Sequence, residues 1–71
     1  MKIGMLWFDN SKDDFKTKVV RAMEYYETKY GEKPNALGIN RKQPGVEEIP
    51  GLKIIPYTGS IWINHFWIGK E

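Results

Sequence analysis

The sequence predicts a small α+β domain with the element order β-α-β-β-β, in which one mixed four-stranded sheet carries a single helix on one face. Two observations predict this class. An amphipathic helical stretch lies between two short apolar segments, and two further apolar segments bounded by proline and glycine follow it. With 71 residues, the chain is expected to form a single domain, residues 1–71, whose core is small.

The first strand is predicted at residues 2–9. Successive side chains of a strand point to opposite faces, and here both alternating sets are apolar. One set is Ile3, Met5 and Trp7, and the other is Gly4, Leu6 and Phe8. A strand that is apolar on both faces is expected in the interior of a sheet.

The helix is predicted at residues 12–30. Apolar residues recur there every three or four positions and form one stripe: Phe15, Val19, Ala22, Met23, Tyr26 and Tyr30. Ser11, with Asp14 three residues later, resembles a capping box at the helix N-terminus. Gly31 is predicted to end the helix in the left-handed conformation that glycine adopts without strain.

Three short strands are predicted after the helix, at residues 35–40, 52–57 and 61–69. The first strand, the helix and the second strand form a β-α-β unit, so its two strands are expected to be parallel neighbours. The third and fourth strands are separated by a short loop containing Gly59, which predicts a β-hairpin. Pro56 has no N–H to donate, so the third strand is expected at an edge of the sheet.

The predicted strand order is 2-1-4-3, with the strands numbered along the chain. Strands 1 and 4 are then central and antiparallel. In the alternative arrangement, the hairpin pairs with strand 2. In the simplest register, one face holds Leu6, Phe8, Phe66 and Ile68, and the other holds Met5, Trp7, Ile61 and Trp67.

One face of this sheet is expected to lack a covering element. A helix about 10 Å across covers roughly two strands, whereas strands 1 and 4 are apolar on both faces. The loop at residues 41–51 is one candidate cover, through Val46 and Ile49, and a second copy of the chain or another protein is the other. The interface candidates are large aromatic residues: Trp7, Phe8, Trp62, Phe66 and Trp67.

Polar residues are expected to gather at the edge of the sheet where its parallel strands end. The candidates for binding an anion or a nucleic acid there are Asn10, Arg41, Lys42 and His65. Asp9 beside His65, the only histidine, would suit acid–base catalysis. The chain has no glycine-rich phosphate loop and no nucleophile spaced for a base. We therefore predict no catalytic, cofactor-binding or metal-binding residue.

Composition narrows the classes of function. The absence of cysteine excludes disulfides and thiolate zinc sites, and it is compatible with a cytoplasmic protein. Eleven basic against nine acidic residues give a net charge of +2, and the basic residues are scattered. Nucleic-acid binding is thus allowed but not indicated by the charge. The N-terminal apolar segment is too short for a signal sequence or a membrane span, so no membrane association is expected.

Four segments of the chain, LWFDN, RAMEYYETKYGEKPN, PGLKIIP and NHFWIG, resemble a group of small uncharacterised bacterial proteins. The resemblance covers most of the chain. Because the group has no known activity, the resemblance implies a bacterial protein and assigns no functional residue.

These observations together predict a small non-enzymatic interaction module. It is expected to self-associate as a homo-oligomer, or to dock a protein partner, through an apolar sheet face. One alternative is a nucleic-acid-binding accessory protein, and another is a small enzyme with an Asp9/His65 site. No cofactor is expected.

Overall fold

A computed structural model describes residues 3–71, and within them the chain forms one helix and four strands. The elements are β1 (Ile3–Phe8), α1 (Phe15–Tyr30), β2 (Ala36–Asn40), β3 (Lys53–Tyr57) and β4 (His65–Lys70). The strands form one mixed sheet, so the predicted α+β class is confirmed. Lys2, in the predicted first strand, lies outside the described residues.

The order of the strands is β1-β4-β2-β3, and the predicted order 2-1-4-3 is wrong. β4 lies between β1 and β2 and is antiparallel to both. β3 pairs in parallel with β2, on the outer side. β3 and β4 therefore do not form a hairpin, and the alternative arrangement fails for the same reason. The expected position of β3 at a sheet edge is confirmed.

β4 is central, with β1 paired to one of its edges and β2 to the other, and both of its faces are apolar. Phe66 and Ile68 point toward α1 and are fully buried, while Trp67 lies on the opposite face. β1 is also apolar on both faces, yet it lies at the edge. Alternation along a strand shows which faces are apolar, but it carries no information about which of two such strands takes the central place.

The helix begins at Phe15 rather than at residue 12. Its N-cap is Asp14, whose carboxylate accepts a hydrogen bond from the Thr17 N–H at 2.9 Å. Ser11 is not the cap: its hydroxyl donates to the Asp13 carboxylate at 3.4 Å, and its N–H donates to the Asp9 carboxylate at 3.0 Å. The predicted C-cap is confirmed: Gly31 has φ of 76°, and its N–H donates to the carbonyl of Glu27.

The hydrophobic core lies between α1 and one face of the sheet. It contains Phe15, Val19, Ala22 and Tyr26 from the helix and Met5, Leu37, Ile39, Phe66 and Ile68 from the strands. Because α1 packs chiefly against β4, it leaves part of this face open beside β2 and β3. Ile49 and Leu52, from the segment that joins β2 to β3, close that gap. The loop thus covers the helix side of the sheet, not the second face as expected, and Val46 stays exposed.

Candidate interaction surface

The face of the sheet opposite α1 carries no helix, and we call it the helix-free face. Residues paired on neighbouring strands lie in rows across this face. One row contains Leu6, Trp67, Gly38 and Ile55, and in the next row Phe8 and His65 lie side by side. The expected register is wrong by one residue, because Phe66 opposes Trp7 and Ile68 opposes Met5, both on the helix side. Leu6 and Phe8 therefore share a face with Trp67.

Two aromatic rings cover part of the helix-free face by lying against glycines. A Cβ added at Gly4 would lie 2.8 Å from Nε1 of Trp67, and one added at Gly38 would lie 2.7 Å from the ring of Tyr57. Both distances are too short for any side chain larger than hydrogen. The two glycines therefore let the rings of Trp67 and Tyr57 approach the backbone closely, so this face is partly covered by its own residues.

The segment at residues 58–64, which leads from β3 to β4, covers a further part of the face. Ile61 is buried there, and its side chain approaches the position of Gly38. The side-chain N–H of Asn40 donates to the Ile61 carbonyl at 2.7 Å. One side chain thus fixes this segment to the end of β2.

Three polar side chains hold the far end of the same segment, and we call Lys18, Gln43 and Asn64 the polar anchor. The side-chain oxygen of Asn64 accepts from Lys18 at 3.3 Å and from Gln43 at 3.1 Å, and the Asn64 N–H donates back to Gln43 at 2.6 Å. Lys18 and Gln43 are each only 7% exposed. Asn64 has φ of 64°, a left-handed conformation that asparagine tolerates better than most residues.

The segment at residues 58–64, which we call the anchored segment, and β1 together present an exposed apolar cluster. Trp62 is 74% exposed, and Leu6 and Phe8 are each 55% exposed. His65 links them: its ring centroid lies 4.6 Å from that of Phe8 and 6.0 Å from that of Trp62. Leu6, Trp62 and His65 also line one shallow hollow of about 270 Å³ with Ile61. Exposed side chains that form a continuous apolar patch on a fixed backbone are typical of a docking surface.

The predicted interface residues fall on both sides of the sheet. Phe8, Trp62 and Trp67 belong to the helix-free face. Phe66 is fully buried in the core, so it is not available to a partner. Trp7 lies on the helix side, with its ring centroid 5.2 Å from that of Tyr25. The register puts Phe66 on the face of Trp7 instead of the face of Phe8, and the helix covers that face, so both residues lie on the helix side.

The residues predicted to bind an anion do not form one site. Arg41 and Lys42 are exposed in the turn after β2, beside a hollow of about 260 Å³ that Thr58 and Gly59 also line. Asn10 follows β1, and β4 lies between β1 and β2. His65 packs against Phe8, and its Nδ1 lies 3.0 Å from the Ile63 carbonyl.

Asp9 and His65 do not form the acid–base pair considered from the sequence. The Asp9 carboxylate accepts hydrogen bonds from Ser11 and from Arg21 of α1. These bonds, with Ser11 contributing most, lower the pKa of Asp9 below its ordinary value. The His65 ring lies on the opposite face, against Phe8. Two groups directed to opposite faces of a sheet have no shared reacting atom.

Several residues that shape this surface were not among the predicted site residues. Lys18 lies between Phe15 and Val19, within the apolar stripe of the helix. This position in the sequence indicates that its side chain is buried. Gln43 lies in a polar loop and gives no such signal, because only the folded chain brings it to Asn64. The expected register places Leu6 on a face with Phe66, whereas Leu6 pairs with Trp67 and lies exposed on the helix-free face.

Two other features, a membrane-spanning helix and a metal-binding cluster, are not found in residues 3–71. The helix there is not long and apolar enough to cross a membrane. In the same residues, no three His, Asp or Glu side chains are grouped as a metal ion would require. Comparison of the chain with known protein families, with curated proteins and with solved structures found no match.

Proposed function

We propose that this protein is a non-enzymatic interaction module that docks another protein on its helix-free face. The observation that carries the proposal is the exposed cluster of Leu6, Phe8 and Trp62, held on a sheet and an anchored segment. Exposed tryptophan and other aromatic side chains supply much of the binding energy at protein interfaces. Because the backbone that carries these side chains is already held by hydrogen bonds, binding requires little further ordering of the backbone, so such a surface is suited to recognition.

The expected partner presents an apolar element with acidic groups beside it. Arg41 and Lys42 lie next to the anchored segment, and no ion pair involves either of them within residues 3–71. Carboxylates of a partner would complement these two charges and orient the complex. The apolar cluster would supply the affinity. Cytoplasmic localisation stays a prediction from the absence of cysteine.

The test places a photo-reactive amino acid at position 62 and, as a control, at Lys29 on the outer side of α1. A protein captured at position 62 only is then identified, purified and titrated against the unmodified chain. We expect Trp62→Ala to weaken its binding by at least about tenfold, as truncation of a central aromatic residue does. Tyr30→Ala, which removes an exposed aromatic ring from the helix side, should leave binding unchanged. Equal capture at the two positions, or equal effects of the two alanine variants, would contradict the proposal.

A single-stranded nucleic acid is the second candidate ligand. The rings of Phe8, His65 and Trp62 lie in sequence across the face, and Arg41 and Lys42 lie beside Thr58 and Gly59 at the start of the segment that carries Trp62. Base stacking on aromatic rings beside basic residues is typical of single-strand binding. We favour a protein partner because Leu6 and Ile63 extend the exposed cluster with aliphatic surface rather than positive charge.

Salt dependence tests the second candidate. If the chain binds a labelled oligonucleotide, the affinity should fall with salt. Replacing both Arg41 and Lys42 by alanine should then reduce the slope of log K against log salt by about 1.4, which corresponds to two phosphate contacts on a single strand. The absence of binding at low salt would exclude a nucleic-acid ligand.

A further inference from the structure

The two edges of the sheet differ in how they are protected from pairing with another strand. β3, at one edge, carries Pro56, which has no N–H, and Lys53, whose charge lies 3.4 Å from Glu71. Both are common means of preventing a new strand from adding to an edge. β1, at the other edge, has the sequence IGMLWF, without proline or a charged residue. The edge formed by β1 is therefore open.

The hydrogen bonds to β4 show which backbone groups of β1 face outward. Asp9 donates its N–H to the carbonyl of Asn64, which places this pair at a hydrogen-bonded position. Because such positions alternate along an antiparallel pair, Trp7 and Met5 also bond to β4. The N–H and C=O groups of Gly4, Leu6 and Phe8 then point away from the sheet. No strand within residues 3–71 pairs with that side.

We propose that β1 pairs with β1 of a second copy of this chain, antiparallel, about a two-fold axis at Leu6. In a continuous sheet, paired residues must lie on the same face and must both direct their backbone groups toward the partner strand. Pairing Leu6 with itself and Gly4 with Phe8 of the second copy satisfies both conditions. It also forms more hydrogen-bonded pairs within Ile3–Phe8 than an axis at Met5 or at Trp7.

The side chains on the helix-free face favour this register. The large Phe8 ring is placed opposite Gly4 of the second copy, where it meets the Trp67 ring that lies over this glycine rather than a side chain of the paired residue. The two Leu6 side chains meet at the axis. Leu6 and Phe8, which are half-exposed in the separate chains, would then lie together with their copies at the centre of an eight-stranded sheet, next to the two Trp67 rings.

The helix side also favours a second copy. Since α1 packs chiefly against β4, the two helices would lie about three strand spacings apart, or about 14 Å. Helices in direct contact are 8–10 Å apart, so one layer of side chains fits between them. Tyr25, which is 52% exposed, lines a groove of about 370 Å³ along this edge together with Trp7. In the dimer the two grooves would face each other. The rings of Trp7 and Tyr25 from both copies would form the layer of side chains between the two helices.

The same groove carries Arg21 and Glu24, which have opposite charges. Two copies related by a two-fold axis therefore bring no block of like charge together. A short strand pairing with few flanking side chains buries less surface than a stable standard interface, so we expect a dimer that dissociates at low concentration. Such a dimer extends the helix-free face rather than covering it, and the pairing is argued from the backbone edge of β1, so this inference does not depend on the proposed function.

Cysteine cross-linking tests the inference directly, because the chain has no cysteine of its own. In a hydrogen-bonded antiparallel pair the Cα atoms are about 5.5 Å apart, within the range that a disulfide spans. Leu6→Cys should therefore form a covalent dimer under mild oxidation. Lys53→Cys is the matched control, since position 53 is exposed on the same face at the opposite edge. We expect the Leu6→Cys variant to cross-link at least about tenfold faster, because pairing raises the local thiol concentration.

Sedimentation equilibrium supplies the second measurement. Leu6→Ala and Leu6→Pro both remove the leucine side chain, but only proline removes the outward N–H at the axis. We expect a reversible dimer for the unmodified chain and weaker dimerisation for Leu6→Pro than for Leu6→Ala, with circular dichroism confirming that both are folded. A monomer at all concentrations, equal dimerisation of these two variants, or a dimer that Leu6→Cys does not cross-link would each overturn the inference.

Discussion

Replacement of Asn64 tests whether the polar anchor holds the segment that presents Trp62. In Asn64→Ala, the buried Lys18 and Gln43 each lose an acceptor, which costs about 1–3 kcal/mol for each unsatisfied donor. Alanine in the left-handed conformation at φ of 64° adds about 1–2 kcal/mol. The expected loss is therefore at least about 3 kcal/mol. A chain of 71 residues has a total stability of about 4–11 kcal/mol, at 0.05–0.15 kcal/mol per residue.

Two further replacements separate the contributions to this loss. Asn64→Gly removes the acceptor but accepts the positive φ, so it should be about 1 kcal/mol less destabilising than alanine. Asn64→Asp keeps the oxygen that accepts both bonds and places a negative charge beside Lys18. It should stabilise the fold by about 1 kcal/mol, because hydrogen bonds between charged groups are stronger. Urea unfolding, followed by tryptophan fluorescence, should give the stability order Asp, Asn, Gly, Ala. An alanine variant within about 0.5 kcal/mol of the original chain, the range of ordinary surface substitutions, would refute the role of the anchor.

Three other predictions concern the core, a buried hydroxyl and the helix cap. Phe66→Ala should lower the free energy of unfolding by about 3–5 kcal/mol, and Phe8→Ala by less than about 1 kcal/mol, because only Phe66 is fully buried; similar losses in urea unfolding would contradict the assigned faces. Tyr26→Phe should raise the free energy of unfolding by about 1 kcal/mol, because the buried hydroxyl has no hydrogen-bond partner within residues 3–71; a lower urea midpoint would reveal a partner for it. Hydrogen bonds from Thr17 hold the pKa of Asp14 below its ordinary value of 3.8, so its stabilising effect is present at neutral pH and is lost as pH falls through the folded-state pKa. Asn caps well but does not titrate, so the advantage of the original chain over Asp14→Asn in urea midpoint should shrink between pH 7 and pH 2; a constant difference would show that the carboxylate does not stabilise the cap by its charge.

The candidate surface could be predicted only in part from the sequence. The number of strands, the single helix and an apolar second face all follow from periodicity, and three of the interface candidates, Phe8, Trp62 and Trp67, lie on the helix-free face or on the segment that covers part of it. Phe66 is also an interface candidate from the sequence, but it is fully buried in the core. The pattern of β4 alone does not show which of its two apolar faces the helix covers, and a shift of one residue in register changes which β1 residues share each face.

The polar anchor was beyond prediction for a different reason. Gln43 and Asn64 are separated by 21 positions in the chain, and Lys18 is 46 positions from Asn64. Neither a helical nor a strand period relates residues at such distances. Only the return of the chain across the end of β2 brings the three side chains together.

By itself, the sequence determined the class of fold, the C-cap at Gly31, the apolar stripe of the helix and the edge position of β3, because each depends on local conformation or on the properties of single residues. The tertiary structure decided that β4 enters between β1 and β2, and with it the open edge at β1 and the exposure of Leu6 and Phe8. The physical reason is that pairing between strands is a competition over the whole chain. β1 and β4 are each apolar on both faces, so their local sequence does not decide which of them is central in the sheet. The contacts of the complete fold place β4 there.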